Sequence, residues 1–212
     1  MAKQDFVVLV LGQDASPRLT KSLCEGAYVV GVDAGAFYCL ENGIAMDEAI
    51  GDFDSVSPSG FTQLQESGTR ITKLPVMKDD TDTEYAIKQF KTAKSILIVG
   101  GLQGKRIEHL YANLLLLSAY PGLSFVDNHS FVTIVETGQK RVFPKKDYRF
   151  FSLFPLEDCL VQGQGLLYEY PTSVLKAGAR LGISNEFVAE EAVIELASGK
   201  ALIICSEDDP KF

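Results

Sequence analysis

The sequence predicts an α/β N-terminal domain with a mostly parallel sheet, followed by a C-terminal antiparallel β-sandwich domain. Three observations predict it. Short continuous apolar runs alternate with helical segments through the first part of the chain. From His129 onward the segments become short and several alternate polar with apolar residues. Gly, Pro and Asp punctuate that second part, as in Gly163-Gln164-Gly165 and Ser198-Gly199. The expected boundaries are 1–128 and 129–212, with no long linker, low-complexity tract or internal repeat.

The first half reads in order. Phe6–Leu11 is a buried strand, followed by Ala27–Val32 and a short Glu48–Ile50. Arg70–Leu74, Ser95–Val99 and Leu123–Val126 complete the set. Continuous apolar strands suit a sheet covered on both faces. Helices are expected near Arg18–Cys24, Ala36–Asn42, Pro58–Ser67, Asp82–Lys91 and Lys105–Ala119. In the last of these, Ile107, Leu110, Tyr111, Leu114 and Leu115 recur at helical spacing and predict the buried face. Arg106, His109 and Asn113 form a separate stripe that faces a ligand. In the second half, strands are expected at Phe131–Val135, Tyr148–Leu153, Leu160–Gln162, Leu166–Tyr170, Ala192–Leu196 and Ala201–Cys205. One helical segment near Ser173–Ala177 is the exception.

Composition narrows the function classes. The chain has 212 residues, of which 46% are hydrophobic, enough for a substantial core. The formal net charge of −8 argues against nucleic acid as a partner. Clustered carboxylates fit Mg²⁺, which in turn holds phosphates. Cys24, Cys39, Cys159 and Cys205 form no CxxC pair, which argues against a zinc site or a disulfide framework. No signal peptide and no apolar run of membrane-spanning length is expected, so the predicted location is cytoplasmic.

In an open α/β sheet ligands bind beyond the carboxyl ends of the strands. Asp33 follows the second strand there, Gly51-Asp52-Phe53-Asp54-Ser55 the third, Lys78-Asp79-Asp80-Thr81-Asp82 the fourth and Gly100-Gly101 the fifth. In extended chain Asp52 and Asp54 point to one side, with Phe53 toward the core, and suit a divalent cation. The same residues also fit a solvated turn with Ser55 starting a helix. Thr81 to Glu84 fits a capping box, with Glu84 reaching back to the cap. Asp79, Asp80 and Asp82 also complement a helix dipole, and Asp82 is assigned to the metal. Lys78 can meet a phosphate oxygen as a point charge. Gly100 to Arg106 is a glycine-rich turn into a helix that can cradle phosphate, although it is neither a P-loop nor a dinucleotide fingerprint.

Taken together and in order, five motifs resemble the thiamine pyrophosphokinase family. They are Asp33-Ala34-Gly35-Ala36, Gly51-Asp52-Phe53-Asp54-Ser55, Lys78 through Glu84, Lys105-Arg106-Ile107-Glu108-His109, and Ser184-Asn185-Glu186-Phe187. The resemblance implies transfer of pyrophosphate from ATP to thiamine, with Mg²⁺, in a homodimer. It implies that thiamine sits between the α/β domain and the β domain of the partner subunit. Asp52, Asp54 and Asp82 correspond to the metal-binding acids, and Asp33 to the first acidic position of the catalytic set. Gly35, Gly51, Ser55, Lys78, Thr81, Gly104, Arg106, His109 and Asn113 join Asp33 as the implied nucleotide contacts. Ser184, Asn185 and Tyr168 are the implied thiamine contacts. Three positions depart from the family pattern: Ala34 and Lys105 replace glycines, and Glu108 replaces Asp. The chain also has no Trp, so Tyr168, Tyr170 or Phe187 must supply any stacking on thiamine. Two rival expectations are a Mg²⁺-dependent nucleotide phosphohydrolase and a non-catalytic nucleotide or thiamine sensor.

Overall fold

The structure, a computed structural model, describes residues 3–12, 15–54, 56–77, 79–103, 106–146 and 148–208. The chain divides into two compact units, residues 1–128 and 129–212.

Among the described residues of the first unit, six strands carry five α-helices. The strands are β1 (Phe6–Val10), β2 (Tyr28–Val32), β3 (Glu48–Gly51), β4 (Arg70–Lys73), β5 (Ser95–Val99) and β6 (Leu123–Val126). The helices are α1 (Pro17–Cys24), α2 (Ala34–Glu41), α3 (Pro58–Glu66), α4 (Asp82–Gln89) and α5 (Ile107–Ala119). The strands lie in the order β6-β5-β1-β2-β3-β4, and neighbours in that row pair in parallel. β1 is buried from Val7 to Val10, the continuous apolar pattern of a covered parallel strand, and β3 is buried throughout, its Glu48 carboxylate accepting from Thr72 O–H. β4 is the edge and exposes Arg70 and Lys73, which blunts that edge.

Right-handed crossovers put α1, α2 and α3 on one face and α4 and α5 on the other. The chain turns back after β4 to place β5 beside β1, so the direction of winding reverses between β1 and β5. α4 packs against β2 and β3. Its N-terminus therefore reaches the ends of the strands that carry Asp33 and Asp52.

The second unit holds two antiparallel sheets. One has the order β12 (Gly182–Glu186), β9 (Phe150–Pro155), β14 (Lys200–Ser206), β7 (Ser130–Glu136). The other has the order β11 (Tyr170–Leu175), β10 (Cys159–Gln164), β13 (Glu191–Ser198), β8 (Lys140–Pro144). Along β14 every second residue is buried, as a half-covered strand requires. Phe143, Phe151, Leu153, Val161, Ile194 and Ile203 come from both sheets into one core. The predicted sandwich is present.

Three sequence expectations change. Ser173–Ala177 is not helical: β11 runs Tyr170–Leu175, and Pro171 sits on an edge strand, where its missing N–H leaves no gap in a ladder. Leu166–Tyr170 is mostly loop, with an isolated bridge from Leu166 to Phe187 in place of a strand. On α5 the stripe expected in the core is partly outward. Ile107 is 79%, Tyr111 64% and Leu115 53% exposed, while Leu116 and Leu117 are buried. Apolar spacing fixes that a stripe exists, but the packing partner decides which edge of it is covered.

Candidate active site

The backbone brings the acidic residues together before any side chain is considered. Asp33 N–H donates to Ile50 O at 2.8 Å, extending the β2–β3 ladder one residue past the end of β2. A Cβ on Gly51 would lie 3.0 Å from Asp33 Cα, so a side chain there would press the Asp33 backbone away. Leu74 N–H donates to Gly51 O at 2.8 Å and carries β4 to the same edge.

Asp33 takes the N-cap position of α2 with φ 47° and ψ −116°, a costly conformation for a residue with a side chain. Its side chain does not cap the helix. Instead its buried Oδ1 accepts no hydrogen bond. Burial raises the Asp33 pKa, and the charges of Asp82, Asp52 and Asp54 raise it further. Asp52, Asp54 and Asp82 therefore all act on Asp33.

Asp52 and Asp54 reach this rim differently from the expectation. β3 ends at Gly51, and Phe53 has φ 56°, so the chain is turned rather than extended. Asp54 N–H donates to Asp52 Oδ1 at 3.2 Å and closes the turn. Phe53 is nonetheless buried as predicted, edge-on to Phe37. Its aromatic packing holds the left-handed residue in place.

At the start of α4, Thr81 Oγ1 accepts from Glu84 N–H at 3.1 Å, as predicted. The reciprocal half of the capping box is absent. Glu84 Oε1 accepts from Tyr120 O–H at 3.0 Å and pairs with Lys88 at 3.2 Å. Asp80 also binds Lys88, at 2.6 Å, and so is used structurally. Asp82 follows the cap, and its Oδ1 is sealed from solvent.

A second group of predicted residues lies at the end of β5. Gly100 and Gly101 have φ 89° and 81°. Asn113 Nδ2 donates to Gly101 O at 2.8 Å, so Asn113 shapes the glycine turn. Arg106 precedes α5 and is paired with Glu108 at 2.7 Å, both exposed. The Glu108 pKa is lowered by its own backbone N–H and then by Arg106. His109 is exposed on the same first turn. Ser55, Lys78 and Gly104 lie outside the described residues.

The sequence reading missed Asp127, which is 2% exposed directly after β6 and accepts from Gln103 Nε2 at 2.9 Å. It follows a parallel strand as Asp33 does, and that rule alone would have found it.

In the second unit, Ser184 has φ 53° within an irregular stretch of the β12–β9 pairing. Asn185 is 3% exposed. Its Oδ1 accepts from Tyr168 N–H at 3.0 Å and its Nδ2 donates to Tyr168 O at 2.7 Å. Its amide thus holds the Tyr168 loop, and the Tyr168 residue itself is 72% exposed.

A cleft of about 490 Å³ opens beside the acidic rim, lined by Gly12, Ala34, Phe37, Val56 and Ser57 among others. Among the described residues, no three His, Cys, Asp or Glu side chains stand close enough to form a metal cage. A Mg²⁺ ion that serves a nucleotide does not need one: it takes one or two carboxylates, several waters and the phosphates. The all-oxygen donor set, the orphaned Asp33 oxygen and the mutual repulsion of the acids fit such an ion.

Residues 20–147 match the family model described as thiamin pyrophosphokinase, catalytic domain, and residues 140–201 the one described as its vitamin B1 binding domain. The chain belongs to the thiamin pyrophosphokinase family. As a member it is an enzyme, a transferase of the kinase type. Thiamine pyrophosphokinase of Bacillus subtilis is 25% identical over 201 residues, covering 91% of this chain and 93% of that one. Its crystal structure superposes with a TM-score of 0.85 over 96% of this chain and all of that one. The enzyme from Geobacillus thermodenitrificans is 27% identical, with a TM-score of 0.82 over 98% and 99% of the two chains. The yeast enzyme, at 16% identity and a TM-score of 0.70 over 95% and 86%, shares the fold. The phosphohydrolase and sensor readings find no support among these relatives.

Proposed function

We propose that this enzyme transfers the pyrophosphoryl group of ATP to the hydroxyl of thiamine, giving thiamine diphosphate and AMP. The observation that carries the reading is the convergence of Asp33, Asp52, Asp54 and Asp82 on one strand edge. Asp52, Asp54 and Asp82 would hold Mg²⁺. Bound there, the ion supplies positive charge to the phosphate oxygens.

The chain's own residues do the rest. The glycine turn, with its Gly100 N–H tied to Val126 O and its Gly101 carbonyl held by Asn113, leads the backbone N–H groups that follow it toward phosphate at the start of α5. Arg106, His109 and Thr81 stand at the first turns of α5 and α4, with Gly35 and Gly51 setting the close backbone approach. Asp33 and Asp82 are the two candidate bases, and Asp33 is favoured because burial and the neighbouring acids raise its proton affinity. Little covalent chemistry is asked of the protein, so positioning and charge dominate. Tyr168 presents an exposed aromatic ring to thiamine, Asn185 fixes its loop, and Ser184 lies beside it in the chain. A homodimer with active sites at the subunit interface is supported by the exposed apolar side chains Ile107, Tyr111 and Leu115.

The test is incubation of pure protein with ATP, Mg²⁺ and thiamine. Thiamine diphosphate and AMP should form in equal amounts, and chelation of Mg²⁺ should stop both. Orthophosphate released without thiamine would overturn the reading.

A further inference from the structure

Two loops flank the place where the winding of the first unit reverses. One follows β1 and leads to α1; the other follows β5 and leads to α5. Such a reversal leaves a crevice where ligands bind. Both loops are tied to the two residues that follow β6. Asn128 Oδ1 accepts from Ser16 N–H at 2.8 Å, at the cap of α1. Asp127 Oδ2 accepts from Gln103 Nε2 at 2.9 Å, at the far end of the glycine turn.

The glycine turn itself is held tightly. Gly100 N–H donates to Val126 O at 2.9 Å, next to Asp127. A Cβ on Gly101 would lie 2.8 Å from Leu11 Cδ1 and 2.9 Å from Asn113 Nδ2. The turn is therefore flanked closely, with Asn113 on its α5 side and Asp127 on its β6 side, and its positive φ at Gly101 favours glycine. A hydrogen bond to a buried carboxylate is stronger than one between neutral groups.

We propose that Asp127 is a positioning residue for nucleotide binding, acting through Gln103 to set the Gly100–Gln103 turn. The proposal rests on the reading that this turn binds the phosphates of ATP. Asp127 need not touch the nucleotide; it decides where the turn's N–H groups point. A carboxylate buried at this depth for packing alone would leave nucleotide affinity indifferent to Gln103, whose side chain lies on the exposed side.

The test swaps the donor and the acceptor. Gln103→Glu sets two carboxylates face to face, while Gln103→Glu combined with Asp127→Asn restores a donor opposite an acceptor. For Gln103→Glu the KM for ATP and the calorimetric Kd for a non-hydrolysable ATP analogue should rise ~10-fold, as loss of one charged hydrogen bond implies. The KM for thiamine should stay within ~2-fold, because that contact is independent of the turn. The combined variant should recover nucleotide affinity, and Gln103→Ala should weaken it in the same direction as Gln103→Glu. Unchanged nucleotide affinity in Gln103→Glu, or a folded double variant that recovers nothing, overturns the proposal. A wild-type enzyme that binds the analogue but forms no thiamine diphosphate overturns the proposed reaction, and the latch is then judged on Kd alone. A wild-type enzyme that binds no nucleotide overturns both.

Discussion

Asp54 carries an exposed carboxylate on a turn closed by its own N–H on Asp52 Oδ1. Nothing in the core depends on its charge. Asp54→Asn should lower AMP formation by ~10²–10³-fold, the scale of losing one preorganised electrostatic group, with an unchanged melting temperature. Normal turnover by the folded variant would refute the metal role. Asp33 is the opposite case. Its carboxylate is held among three others, and Asn tolerates positive φ. Asp33→Asn should therefore raise the melting temperature of the metal-free protein while abolishing turnover, as a functional site that conflicts with stability does; a lower melting temperature counts against the repulsion. The thiols give an independent check on packing. Burial pushes Cys39 and Cys205 up to about 12 and Cys24 up to about 11, and raises Cys159, but Cys24 alone is half-exposed while the other three are buried. A thiol reagent at mildly alkaline pH should label Cys24 alone in the native protein and all four after denaturation.

At the scale of elements, α2 is placed by two glycines. A Cβ on Gly35 would run into the carbonyl of Val10, and one on Gly31 would meet Ala36 Cα at 2.5 Å. Gly35→Ala must push α2 off β1, which should cost ~3 kcal/mol or more and be read in a denaturant titration. The α4 start is tuned more gently: Thr81→Ala removes one cap and should cost ~1 kcal/mol. That cap, the five helices and the six parallel strands were legible because each is signalled by neighbours in the chain. The strands β8 and β12 were not. In β8 only Phe143 is buried, and in β12 only Gly182 and Asn185, so neither shows an apolar run. The helical reading of Ser173–Ala177 failed because edge pairing with β10, not local preference, organises that segment.

At the scale of the whole molecule, the exposed apolar side of α5 is where the proposed homodimer is tested. Ile107, Tyr111 and Leu115 stand at i, i+4 and i+8 and face outward together. Sedimentation should give twice the mass of one chain, and Tyr111→Glu combined with Leu115→Glu should shift it toward one. A wild-type monomer that turns over at full rate would remove the dimer from the mechanism. What the sequence determined by itself was the list of parts: two halves of different period, a parallel sheet first, and acids placed just after strands. Those follow from spacing and neighbours along the chain. Only the tertiary structure decided that Asp33, Asp52, Asp54 and Asp82 share one field, that the Asp52–Asp54 segment is a turn, that α5 leaves an apolar edge bare, and that Asp127 holds the glycine turn. Each depends on which strands lie side by side, and the order β6-β5-β1-β2-β3-β4 is fixed by how the helices cover the sheet, which no local stretch of residues records.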